Sequence, residues 1–258
     1  MSIRKVILTG VAVLTASTGG AFAADLGFKG SVKDDGAYVP RASVQPSWYV
    51  RVDNAFATYD TPVLIEDGVE TLTETGIDGS YALGFGIGHY FTSAIRGDFT
   101  YERRFETDVE GNLAHPGATL TGVRRFGLES DVFLWNLYYD FDTRTRFTPY
   151  LGVGLGFVRN ETTHGVVDDC GCVTGVIASK ETYDVAAALM AGASLKLFRG
   201  FHLDAGYRFL YLGEAETGAI SITERAGQPA GTVEVSDDPI VEEIHAHEFR
   251  IGLRYDFR

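Results

Sequence analysis

The sequence predicts an all-β fold: eight antiparallel strands closed into an up-and-down transmembrane β-barrel. Three observations lead there. Stretch after stretch alternates apolar with small or polar residues, as "TPYLGVGLGFVRNE" does at Thr148 to Glu161. The connections between these stretches are alternately short and long. No segment beyond the amino terminus is apolar enough for a transmembrane helix, whereas a strand that faces lipid with every second residue keeps a near-neutral mean hydropathy.

The chain opens with Arg4 and Lys5, an apolar run from Val6 to about Ala16, and Ala21-Phe22-Ala23. Basic start, apolar middle and A-x-A end are the parts of a secretory signal peptide, so residues 1–23 are expected to be removed. The run is too short to span a bilayer as a helix, which takes about 20 residues. Residues 24–47 carry Gly, Pro and polar residues without a period and are expected to form a periplasmic leader. The barrel is assigned to residues 48–258.

Each strand follows from a period of two. Trp48, Val50 and Val52 stand against Tyr49, Arg51 and Asp53; Tyr81, Leu83, Phe85 and Ile87 against Ala82, Gly84, Gly86 and Gly88. Ile95, Phe99 and Tyr101 oppose Arg96, Asp98, Thr100 and Glu102. Phe133, Trp135, Leu137, Tyr139 and Phe141 oppose Leu134, Asn136, Tyr138 and Asp140. Leu151, Val153, Leu155 and Phe157 oppose Gly152, Gly154 and Gly156, and Val185 to Leu197 sets its apolar register against Asp184, Gly192, Ser194 and Lys196. Last come Phe201 to Tyr211 over His202, Asp204, Gly206 and Arg208, and Phe249 to Phe257 over Glu248, Arg250, Arg254 and Asp256. Roughly ten residues is the length a tilted strand needs to cross a bilayer.

Connections around Tyr90–Ala94, Asp142–Arg146 and Arg199-Gly200 are short. Those at Tyr59–Gly79, Glu106–Ser130, Thr162–Thr182 and Gly213–Ala246 are long. Tight turns on one side and extended loops on the other are the arrangement of an outer-membrane barrel, with periplasmic turns and extracellular loops. Three long loops are expected to continue outward as hairpins: Val63–Ile65 with Val69–Leu72 about Asp67-Gly68, Val166-Val167 with Val173–Ile177, and Ile220–Thr223 with Thr232–Val235.

Eight strands enclose a cylinder just wide enough for side chains to fill. Its inward register carries Arg51, Arg96, Arg104, Lys196, Arg208, Arg250 and Arg254 against Asp53, Asp98, Glu102, Asp184, Asp204, Glu248 and Asp256. Buried charges persist when paired, so these residues are expected to form an ion-pair network that plugs the lumen. Asp204, Arg208, Arg250 and Arg254 are the expected central cluster. The Gly-rich inner faces of the second and fifth strands leave a narrow water-lined path as the alternative.

The net charge is −13, and loss of Arg4 and Lys5 takes it to −15, because residues 1–23 hold no acid. That balance argues against nucleic acid, whose phosphates call for basic patches. Acid is concentrated in the first long loop (Asp60, Glu66, Asp67, Glu70, Glu74, Asp78) and the last (Glu214, Glu216, Glu224, Glu234, Asp237, Asp238, Glu242, Glu243). A solvated surface accounts for it; divalent cations bridging to lipopolysaccharide are the functional alternative.

"SAIRGDFTYERRF" (Ser93–Phe105), "RFTPYLGVGLGF" (Arg146–Phe157), "FHLDAGYRFLYLG" (Phe201–Gly213) and "HEFRIGLRYDF" (His247–Phe257) resemble the eight-stranded outer membrane β-barrel domain family, similar to the OmpA-like transmembrane barrel. The resemblance runs from about Trp48 to the end. It implies residence in the outer membrane, contact with its lipid and lipopolysaccharide, delivery by the barrel-assembly machinery, and loops available to host or surface ligands. That family's assembly signal usually ends on an aromatic residue, whereas Arg258 follows Phe257 here.

An enzyme of the lipid A-modifying kind would need a base beside a nucleophile. His245 and His247 share a face near the outer rim, yet no Ser lies two residues away on that face. The same two imidazoles are too few for a metal site. Cys170 and Cys172 are assigned no chemistry, and no cofactor is expected. Closure removes the sheet edges, so the expected state is a monomer.

Overall fold

The computed structural model describes residues 48–66, 70–71, 73–114, 121–169, 173–225, 234–236 and 240–257. The expected signal peptide and leader, the Asp67-Gly68 turn, Cys170, Cys172 and Arg258 lie outside them. Among the described residues every regular element is a strand.

Eight strands form the wall: β1 (Trp48–Tyr59), β2 (Ser80–Tyr90), β3 (Ile95–Ala114), β4 (Thr121–Asp140), β5 (Phe147–Thr162), β6 (Lys180–Phe198), β7 (Phe201–Tyr211) and β8 (His245–Phe257). Each pairs antiparallel with its neighbours in sequence. β8 then returns to β1, from Trp48↔Phe257 to Tyr59↔Ala246, and the barrel is closed.

Turn chemistry explains the tight end. Arg199 and Gly200 both take positive φ, 29° and 87°, which a two-residue hairpin loop requires. At the β2–β3 turn, Thr92 Oγ1 accepts from the Ala94 and Ile95 amides at 3.1 and 2.9 Å. Asp142 does likewise for Arg144, at 2.8 Å.

The predicted outward register is the exposed one. Trp135, Leu137, Val153, Leu155, Leu189, Ile251 and Leu253 are each at least half exposed. Aromatic residues cap this band at both heights: Trp48, Phe141, Phe147, Phe201, Tyr255 and Phe257 at the turn rim, Phe56, Tyr81, Phe133, Phe157, Tyr183, Tyr207 and Phe249 toward the loops. Two aromatic girdles around an apolar belt are the signature of a lipid-facing barrel. Above the loop-side girdle the exterior turns charged, and Asp131 accepts from both Arg103 (2.9 Å) and Arg159 (2.7 Å).

The second long connection is not the loop expected at Glu106–Ser130. β3 and β4 run on through it as paired strands, from Thr107↔Leu128 to Ala114↔Thr121, past a register shift between Arg104 and Thr107. The reason is an inversion of pattern. Beyond the belt the outer face meets water and the inner face turns apolar, with Val109, Phe126 and Leu128 buried, so the membrane-type alternation that marks the other strands is lost.

The three expected hairpins are present, arranged in two ways. Gly165–Asp169 pairs with β4 and with Val173–Ile177, which pairs with Ile220–Arg225 and so carries the wall outward. Ile220–Arg225 also pairs with Glu234–Ser236. The first hairpin instead joins a separate four-stranded sheet, in which Val63–Glu66 pairs with Glu70–Thr71 and Ile240–Glu242, and the latter pairs with Ala215–Glu216. The first and last long connections are thereby tied together.

Candidate functional site in the barrel interior

Inward side chains fill the lumen in layers. Nearest the turns, Arg254 donates from Nη2 to Ser194 Oγ at 2.7 Å and lies 3.6 Å from Asp204. Asp256, half-buried, is 3.1 Å from His202 and 3.7 Å from Arg254. Lys196 is exposed at the mouth, and among the described residues no carboxylate lies within ion-pair distance of it.

The next layer mixes charge with aromatic rings. Arg96, fully buried, pairs with Asp140 at 3.0 Å and lies 4.0 Å from the Tyr138 ring centre and 5.1 Å from that of Tyr150. Arg51 grips Asp53 with Nε and Nη2, both at 2.7 Å, and donates from Nη1 to Asp98 at 3.1 Å and to the Tyr138 hydroxyl at 3.0 Å. Tyr49 and Asn136 complete the Asp98 shell at 3.0 and 2.8 Å. Asp98, on β3, thus accepts from both β1 and β4.

At the centre two carboxylates face three guanidiniums. Arg208 donates to Glu102 and to Glu248, both at 2.5 Å. Arg104 donates to Glu248 as well, lies 3.3 Å from Glu102, and reaches the Tyr59 hydroxyl at 2.9 Å. Arg250 lies 3.2 Å from Glu102 and 3.6 Å from Asp53, linking this layer to the one below. Arg104, Arg208, Glu102 and Glu248 are all 2 % exposed or less.

Toward the loops the lumen becomes neutral and then mostly apolar, the buried Arg124 excepted. Asn160 accepts from Ser130 at 2.7 Å and donates to the Leu212 and Glu214 carbonyls, both at 2.9 Å. Val109, Phe126, Leu128, Ile177, Leu212 and Ile220 belong to one buried cluster that extends down to Leu134 and Val158. A polar core inside the belt is therefore overlaid by an apolar one above it.

Two sequence-based expectations need correction. Of the expected central cluster, Arg208 and Arg250 are central, with Glu102 and Glu248 as their acids, whereas Asp204 and Arg254 sit lower beside Ser194. Lys196 points into the turn-side mouth rather than into the ion-pair chain. Asp184, also read as inward, accepts from the Glu214 amide at 2.9 Å near the loop side.

The tyrosines were missed. The bare inner faces hold rings: a Cβ on Gly152 would meet Tyr138 at 2.6 Å, and one on Gly192 would meet the Tyr150 hydroxyl at 2.6 Å. Gly88 faces Tyr49 in the same way, across the pair Tyr49↔Gly88. Of the glycines on the second and fifth strands that offered the alternative water-lined path, Gly88 and Gly152 face tyrosine rings. Gly88→Ala should therefore cost about 1–3 kcal/mol by overpacking. Combining it with Tyr49→Leu should recover part of the loss, as read from urea unfolding of a double-mutant cycle in detergent.

On the outer face at the loop rim, His247 lies between Asp60 (Nε2, 3.1 Å) and the Tyr207 hydroxyl (Nδ1, 2.5 Å), so both ring nitrogens are engaged. His245 stacks on Phe209, with ring centres 5.5 Å apart.

The family model described as "Outer membrane protein beta-barrel domain" matches residues 9–257. The chain is 26% identical over 250 residues to an uncharacterized protein of Brucella suis, covering 82% of this chain and 85% of that one. It is 23% identical over 216 residues to a putative adhesin of Rickettsia bellii, covering 81% and 88%. Among solved structures, the outer membrane protein OprG of Pseudomonas aeruginosa aligns with a TM-score of 0.51 at 13% identity, over 82% of this chain and 96% of that one. Closed eight-stranded wall, lipid-facing belt and family match agree: the chain belongs to the outer membrane protein β-barrel domain family and resides in the Gram-negative outer membrane.

Proposed function

We propose that this protein is a closed, ion-pair-filled barrel that serves as a structural and surface element of the outer membrane, acting through membrane integrity and through its loops. The observation that carries this reading is the filled lumen. The Arg104, Arg208, Glu102 and Glu248 layer closes the middle, tyrosine rings occupy the glycine faces below it, and an apolar cluster covers it above. A path for solute would have to part all three.

Residues 1–23 are the signal peptide, 24–47 a periplasmic leader and 48–258 the barrel, with turns and both termini in the periplasm and the long connections outside. Lipopolysaccharide would surround the loop-side girdle, and the barrel-assembly machinery would insert the monomer. The strands that rise beyond the belt offer a rigid platform for a surface ligand, a use supported by the putative adhesin among the relatives. The reading is non-enzymatic, which the putative adhesin among the relatives supports.

Reconstitution into planar bilayers tests the plug. Silence in single-channel recording is the expected result; steady openings abolished by Arg208→Ala would establish the narrow pore instead. Protease applied to intact cells should cleave only in the long connections, and complete protection of them would reverse the orientation.

A further inference from the structure

At the turn rim the lumen opens into a cavity of about 890 Å³. One wall is a basic row. Lys196, His202 and Arg254 occupy one rung across β6, β7 and β8, through the pairs Lys196↔His202 and His202↔Arg254. Strands in a sheet lie about 4.8 Å apart, so Lys196 and Arg254 stand two strands apart with His202 between them. Arg199, in the adjoining turn, also lines the cavity.

The acids present leave this row only partly answered. Asp256 is 3.1 Å from His202 and 3.7 Å from Arg254, and Asp204 is 3.6 Å from Arg254. On the opposite wall, Asp140 is already engaged by Arg96 at 3.0 Å, and Asp142 accepts from the Arg144 amide at 2.8 Å. Among the described residues neither Lys196 nor Arg199 has an ion-pair partner. Arg254 is 2 % exposed, lines the cavity, and leaves Nη1 and Nε without a hydrogen-bond acceptor. A buried guanidinium with N–H groups that find no acceptor is costly, and its positive charge behind the cavity wall favours an anion in the cavity.

We propose that this mouth is a binding site for a small anion of the carboxylate or phosphate type, held between the Arg254 guanidinium and the Lys196 ammonium. Arg254, locked against Ser194 at 2.7 Å, provides the fixed positive charge, and Lys196, exposed at the mouth, donates to the ligand. Charge-assisted hydrogen bonds of this kind are the strong ones. The site opens at the turn side and needs no passage through the lumen, so it stands whether or not the barrel conducts.

The experiment is a titration of the full chain, folded in a zwitterionic detergent, with succinate and separately with inorganic phosphate, against sodium chloride of equal ionic strength. Backbone amide NMR reads the site at Gly200 and Gly252. A saturable shift there with either probe, absent with chloride, is expected. Succinate alone would identify a carboxylate ligand and phosphate alone a phosphate ligand. Lys196→Gln, at an exposed position, should fold normally and weaken the response about ten-fold. A response no larger than that of chloride, one that maps away from this rim, or unchanged affinity in Lys196→Gln would overturn the proposal.

Discussion

Glu248→Ala should lower the unfolding free energy of the barrel by about 3–5 kcal/mol, measured by urea titration in lipid vesicles with tryptophan emission as the signal. Glu248 is fully buried and accepts from Arg104 and from Arg208. Removing it leaves Glu102 as the only carboxylate in a layer that also holds Arg250. The penalty is mostly that of uncompensated cations in a space closed to water, not the loss of a favourable pair. A corollary separates the two. Replacing Arg208 and Glu248 together, by Met and Leu, should cost much less than Glu248→Ala alone, because matched removal also abolishes the desolvation of both charges. If the single and double replacements prove equally damaging, the carboxylate acts through shape and not charge.

Val153→Arg should destabilise the barrel in a bilayer by about 2–4 kcal/mol, the cost of a cation at the midplane of a lipid-facing surface. Val153 pairs with Leu137 and Leu189, midway between the girdle of Phe141 and Phe147 and that of Phe133 and Phe157. It is 53% exposed, so on a soluble protein the same change would fall within about 0.5 kcal/mol. Thr58→Arg, on the outer face beyond the loop-side girdle, should be nearly neutral. Equal effects at the two positions, read from the same urea titration, would mean that lipid does not cover this face.

The belt was legible because it is local. Leu151, Val153, Leu155 and Phe157 announce their shared face by spacing alone, whatever the rest of the chain does. The β6–β7 hairpin turn was legible for the same reason, since Gly200 takes a positive φ at no steric cost. The rising wall from Thr107 to Leu128 was not, because above the membrane apolar residues turn inward and polar ones outward. A reading tuned to lipid-facing alternation takes that reversal for a loop. Asp140 and the tyrosines were also missed. Each is visible as an inward residue, but its meaning depends on what it faces: Asp140 on Arg96, Tyr138 on Gly152, Tyr150 on Gly192.

By itself the sequence determined the number of strands crossing the membrane and the face each turns to lipid, both of which are set by residues two apart on one strand. Tertiary structure alone decided which charges meet. Arg104 and Glu248 are 144 residues apart and Arg208 and Glu102 106 apart, brought together by strand register and barrel closure. Inward charges balanced in number admit many pairings, and only the stagger of eight strands around a narrow cylinder selects one. It also leaves Lys196 at the mouth, facing solvent, with no ion-pair partner among the described residues.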